Sequence, residues 1–166
     1  NTNLAQAEID LVGMQQREYA LKRVLSSVEA DVIIIDCPPA LGLLTINALT
    51  AADGVLIPVQ AEYFALEGLG QLMRTIQLVR NGLNTKLEIF GVVLTMFTKR
   101  TVLSEQVQVE VTKHFTQKVF TTVIPRNIRL AEAPSYGRTI FEHDRWSKGA
   151  KAYKALAEEV AKRANI

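Results

Sequence analysis

The stretch DVIIIDCPPALG, Asp31 to Gly42, sets an acid at the end of an apolar run. Val32 to Ile35 lead straight into Asp36, then Cys37 and two prolines. A carboxylate just past a buried strand is where a nucleotide-hydrolysing α/β protein helps to hold Mg²⁺. That cation takes hard oxygen ligands and keeps several waters, so one carboxylate can suffice. An acid that only caps the following turn or helix fits the same residues. Pro38 and Pro39 fix their own φ, and Pro38 pushes Cys37 out of the helical region, so the turn is stiff. Stiffness suits a positioned group and a purely structural turn alike. Cys37 reads as small and inert: a catalytic thiol needs a base, and the only histidines, His114 and His143, stand far along the chain. With one cysteine there is no zinc framework either. Basic residues gather at Lys99-Arg100 and again at Arg126, Arg129 and Arg138.

These groups need a scaffold, and the hydrophobic pattern supplies one. Strand-like runs occur at Glu8–Val12, Val32–Ile35, Gly54–Val59, Leu87–Met96 and Lys118–Ile124. Val32–Ile35 is all apolar and β-branched, as a central parallel strand buried on both faces would be. Helical spacing is read at Arg17–Val28, Leu43–Ala52, Leu66–Val79 (ending at Asn81-Gly82), Leu103–Phe115 with Thr101 as its cap, and Trp146–Ala164. Asn127–Gly137 reads as loop or short helix. Strands alternating with helices predict an α/β fold, a mostly parallel sheet flanked by helices, with residues 1–166 in a single domain. In such sheets ligands sit beyond the carboxyl ends of the strands. The junctions to search are therefore Asp36–Gly42, Gln60–Glu67, Phe97–Ser104 and Pro125–Tyr136. If the strands are parallel, Lys99-Arg100 and the Arg126–Arg138 cluster lie at one edge.

Composition bounds the rest. With 166 residues, the chain is long enough for one domain with a real core. Hydrophobic residues make up 48% and charged residues 22%, which is ordinary globular usage. A net charge of +2 does not by itself announce a nucleic-acid binder, and the default for the basic positions is a solvated loop face. One cysteine points to a reducing cytoplasm. No apolar run approaches the ~20 residues that span a membrane. The opening NTNLAQAEIDLVG lacks the form of a signal peptide and reads like a cut inside a larger protein.

DVIIIDCPPALGLLTINALTAADGVLIPVQAEYFALEGL closely resembles the ParA/Soj family of partition ATPases, relatives of the MinD cell-division regulator. The likeness continues through GVVLTMFTKRTVLSEQV, TVIPRNIRLAEAPSYG and SKGAKAYKALAEEV, in order and over essentially the whole chain. It implies an incomplete P-loop NTPase fold, Mg-ATP as cofactor, a homodimer, non-specific DNA binding, and a ParB/Spo0J-type centromere-binding partner. It implies a cytoplasmic, nucleoid-associated protein. Asp36 then matches the Walker B aspartate, reaching Mg²⁺ through water, and Cys37–Gly42 the second switch loop. Pro125, Arg126 and Asn127 match a loop against the adenine base, where Asn offers both donor and acceptor. Arg100 and Arg129 match DNA-contacting arginines. Thr98 stands where the family often has aspartate, which leaves that position without a role.

The family's deviant Walker A loop, KGGxGKT, is absent from this sequence, which has no Gly-Lys-Thr or Gly-Lys-Ser; Gly68 and Gly70 fall within a helical pattern. The resemblance is thus to a C-terminal portion, with no catalytic residue assigned, very weak ATP affinity, no useful hydrolysis alone, and exposed strand edges that favour dimer or aggregate. Two alternatives differ in class. One is a non-catalytic, truncated ParA-like interaction protein; the other is a MinD-like cell-division regulator. The alanine-rich tail with Glu158 and Glu159 disfavours the second, since a membrane-lying helix would be basic and amphipathic.

Overall fold

The computed structural model describes residues 2–166. Among these, eight α-helices are formed: α1 (Thr2–Val12), α2 (Ala20–Leu25), α3 (Leu43–Ala51), α4 (Ala65–Gly82), α5 (Val102–Phe115), α6 (Ile128–Glu132), α7 (Ile140–Asp144) and α8 (Lys148–Ala164). Between them lie two strands, β1 (Gly54–Gln60) and β2 (Glu88–Thr95), hydrogen-bonded to each other. Glu88 N donates to Asp53 O at one end, and Ala61 N to Thr95 O at the other, so the strands run parallel. The architecture is α/β with a parallel sheet and flanking helices, as the alternation predicts. The chain divides into two compact units: one takes in the chain up to Val55 with Gly70–Glu88, the other Leu56–Leu69 with Ile89–Ile166.

In the first unit, α3 is the centre. It buries Thr45, Asn47, Ala48, Leu49 and Thr50. The buried polar groups are all paired, as burial demands. Asn47 Nδ2 donates to Leu43 O, and its Oδ1 accepts from Leu21 N at 3.1 Å, which fastens the start of α2 to α3. Asn84 Nδ2 donates to Leu49 O at 3.0 Å and Ala52 O at 2.7 Å, which ties the chain leaving α4 to the end of α3. Glu8–Val12 is helical rather than a strand. Leu4, Ala5, Gln6, Ala7 and Glu8 are good helix formers, and Gln6 Nε2 donates to Asp10 Oδ1 one turn on.

Val32–Ile35 is not a strand either, and this overturns the clearest expectation of the sequence. Among the described residues, 29–41 make no backbone–backbone hydrogen bond. Ile34 is 90% exposed. A β-branched apolar run becomes a buried strand only with neighbours to complete its ladder, and β1 and β2 pair with each other instead.

β2 shows the same composition with the opposite outcome. β1 flanks it on one side and the extended segment 119–125 on the other, so Gly91 to Leu94 are buried. Pro58 sits within β1 without harm. Ala61 N points toward β2, so by the two-residue period Pro58 faces the opposite edge, where no ladder donor is needed. In this second unit Val93, Phe120, Ile124 and Leu156 form a core against which Phe90, Leu130, Ala152 and Val160 pack. α8 therefore packs on the unit's own core, as its composition suggests. It begins at Ser147, whose Oγ accepts from Ala150 N. No helix among the described residues is long and apolar enough to cross a membrane.

Lys118–Ile124 is predicted as a strand but pairs only in part. Phe120 N donates to Val92 O and Ile124 N to Leu94 O, so four residues of advance on one side match two on the other. The surplus bulges outward. There Thr121 N and Thr122 N donate to the two carboxylate oxygens of Glu159 on α8, at 2.8 and 2.9 Å. A side chain has taken the place of the ladder.

Candidate functional site

Three of the four predicted junctions converge in the second unit. Pro125 bridges Phe97, and Arg126 N donates to Phe97 O at 3.1 Å. The Arg126 guanidinium pairs with Glu62, in the turn between β1 and α4. Gln60–Glu67, Phe97–Ser104 and Pro125–Tyr136 thus meet past the carboxyl ends of the strands, where an α/β sheet binds ligands. The fourth junction, with Asp36, belongs to the first unit.

Asp36 is exposed and, among the described residues, has no hydrogen-bond or ion-pair partner. It caps nothing: the N-cap of α3 is Gly42, with no side-chain bond. A free carboxylate of this kind fits a hydrated Mg²⁺, which needs one or two hard oxygen ligands and keeps water on the rest. No group of three or more His, Cys, Asp or Glu side chains able to hold a metal occurs among the described residues. Beside it, partial burial and then the Asp36 charge push the Cys37 thiol up from its usual value. That keeps the sulfur protonated and inert.

Asn127 is the N-cap of α6, and its Oδ1 accepts from Arg129 N at 2.8 Å. This changes what it can offer. The side-chain oxygen is engaged, so the amide Nδ2 remains as donor. Asn127 O accepts from Leu130 N, whereas the carbonyls of Pro125 and Arg126 accept no hydrogen bond among the described residues. The loop therefore presents two carbonyl acceptors and one amide donor.

Arg129 does not stand alone. Its Nη1 bonds Glu132 Oε2 at 2.9 Å, and its Nε lies 3.6 Å from Asp144 Oδ2. The hydrogen bond to Glu132 raises Arg129 above its ordinary value, and the same bond, aided by His143, lowers Glu132. His143 Nε2 lies 3.4 Å from Glu132 Oε2 and its ring stacks on Tyr136 at 5.1 Å. Arg100, by contrast, is exposed and has no ion pair among the described residues. Its φ is 70°, a left-handed conformation that a side chain rarely adopts. Thr101 does precede α5, but its hydroxyl donates back to Thr98 O rather than capping the helix. Arg138 is exposed beyond the turn at Gly137. Gly68 and Gly70 lie inside α4.

Sequence reasoning missed Glu62, Glu132, Asp144 and Glu159. Only Glu132 left a local trace, at helical spacing from Arg129. The others act across long separations in the chain.

A family model described as an AAA domain matches residues 1–89. The sporulation initiation inhibitor protein Soj of Bacillus subtilis is 60% identical over 160 residues, 95% of this chain and 63% of that protein. The chromosome partitioning protein ParA of Myxococcus xanthus is 52% identical over 97% of this chain and 58% of its own length. The chain thus spans less than two thirds of the length of the curated relatives it matches. Among solved structures, cobyrinic acid a,c-diamide synthase from Mycobacterium smegmatis, with bound ATP analogue and magnesium, superposes with a TM-score of 0.76 at 39% identity. That match covers 95% of this chain and 58% of the synthase.

Proposed function

The chain belongs to the AAA-domain family in its ParA/Soj-type branch, and on that premise we propose that it is the C-terminal portion of a single ATPase domain serving DNA partition, for a chromosome or a plasmid. The observation that carries the reading is the 60% identity to Soj over 95% of the chain. The full-length protein binds Mg-ATP, dimerises around it, and contacts DNA without sequence preference. A centromere-binding protein of the ParB/Spo0J type stimulates hydrolysis, and the protein works in the cytoplasm on the nucleoid.

In this reading Asp36 supplies the carboxylate on the Mg²⁺ side, held by the stiff Cys37-Pro38-Pro39 turn. When bound, Mg²⁺ neutralises charge on the nucleotide phosphates. Pro125, Arg126 and Asn127 take the adenine. A free carbonyl, that of Pro125 or of Arg126, suits its exocyclic amine, and Asn127 Nδ2 suits a ring nitrogen. Arg100 and Arg129 meet DNA phosphates in a sequence-independent and salt-sensitive way. The polypeptide as given, without Gly-Lys-Thr or Gly-Lys-Ser, lacks the ring of backbone N–H groups and the lysine that make phosphate binding strong. Alone it is inactive.

The test is Arg100→Ala with Arg129→Ala in the full-length protein. DNA affinity at low salt falls, and the slope of log affinity against log salt drops by about one for each phosphate no longer neutralised. Unchanged binding rejects both assignments.

A further inference from the structure

We propose that Glu159, on α8, is a positioning residue that sets the base preference of the 125–127 loop. The inference rests on the adenine reading of that loop. Three facts support it. First, the carboxylate holds both N–H groups of the bulge, Thr121 N to Oε1 and Thr122 N to Oε2. Second, the bulge changes the register: the chain re-enters the ladder at Ile124 N–Leu94 O, and Phe97 N donates to Ile124 O directly before Pro125. Without the bulge, regular pairing would carry the segment past Leu94 two residues earlier and shift the carbonyls of Pro125 and Arg126 along the strand direction. Third, Glu159 is itself fixed, with Arg163 Nη2 at 3.6 Å and Arg163 Nη1 donating to Phe90 O and Lys118 O. α8 thus clamps the strand on both sides of Phe120.

The chemistry at stake is discrimination between purines. A free backbone carbonyl of this loop accepts from the amine of adenine and repels the carbonyl oxygen that guanine carries at the same place. An acceptor moved along the strand loses that contrast, because hydrogen bonds weaken steeply with misalignment. Glutamine at 159 keeps one acceptor oxygen and turns an NH₂ toward the second backbone N–H, so the bulge cannot be held as it is.

The experiment uses the full-length protein and measures Kd for ATP and GTP in wild type, Glu159→Gln and Glu159→Asp. It also maps the peptide labelled by 8-azido-ATP in the wild type. The ratio of the two Kd values is independent of the folded fraction, so a merely structural role would leave it unmoved. The expected result is labelling within the 121–130 segment and an ATP-over-GTP preference that falls roughly fivefold or more in both variants, the loss of about one hydrogen bond. Glu159→Asp covers the case in which Glu159→Gln does not fold. Labelling of this segment with an unchanged ratio overturns the role of Glu159 and leaves the adenine loop standing. Labelling elsewhere, or none, overturns the adenine reading and the role of Glu159 with it.

Discussion

Gly91 and Phe120 show how narrowly single residues are specified in the second unit. The Arg163 guanidinium lies over the Phe120 ring at 3.9 Å, a cation–π interaction, and both press on β2 at Gly91. A Cβ added at Gly91 would collide with Phe120 Cε2 and come within 2.6 Å of Arg163 Nη1. Neither can retreat, since Phe120 is buried and Arg163 is bonded to two carbonyls. Gly91→Ala is expected to destabilise the protein by about 1–3 kcal/mol, the range for overpacking, read as a lower urea midpoint at unchanged slope. Asn127 teaches the complementary lesson. Its place in a Pro-Arg-Asn loop was legible, and so was its hydrogen-bonding capacity. That one half of this capacity goes to capping α6 was not, because a cap is recognised only when the helix boundary is known.

At the scale of elements, Val32–Ile35 and Ile89–Leu94 have nearly the same apolar character, yet only the second belongs to a sheet. Periodicity reports what a segment could bury, and the neighbours decide whether it does so. The long amphipathic helices were read well because their hydrogen bonds are internal: α4 and α5 lie within a few residues of the spans predicted, whereas α1 was read as a short strand. Strands and the 118–124 segment were read less well because their partners are remote. The Glu159 latch is such a partner, and it gives that segment a pH signature. Partial burial pushes the Glu159 carboxyl up, but the bonded N–H groups of Thr121 and Thr122 outweigh this and leave it below its ordinary value. A carboxyl lowered by folding adds stability above its unfolded value and loses it as pH falls through the folded one. The stability gap between wild type and Glu159→Gln should therefore be widest near neutrality and shrink below the usual carboxylate range. Urea melts from pH 7 to pH 3 measure it, and a gap independent of pH contradicts the latch.

At the scale of the whole molecule, family membership was legible from ordered motif blocks, and the matches to Soj and ParA agree with it. The site was legible in outline only. Glu62, Phe97 and Arg126 meet because parallel strands deliver their carboxyl ends to one edge, a property of topology that no short motif carries. The molecule as given is expected to show no ATP turnover above background in a phosphate-release assay with Mg²⁺. Measurable turnover by this polypeptide would remove the reading of Asp36 as one part of a larger phosphate site.

The unladdered stretch of residues 29–41 has one more consequence, for proteases. A protease cleft binds substrate as an extended strand, through backbone groups that in this stretch have no backbone partner among the described residues. Its composition makes the choice of enzyme informative. There is no lysine or arginine between Arg23 and Arg74, so trypsin has no site there. Elastase, whose small specificity pocket takes short aliphatic residues, has Ala30 and Val32 in an exposed segment. Brief elastase digestion should nick the chain first between Glu29 and Cys37, ahead of the two prolines. A first cut mapped elsewhere by mass spectrometry would mean that the segment is protected in solution.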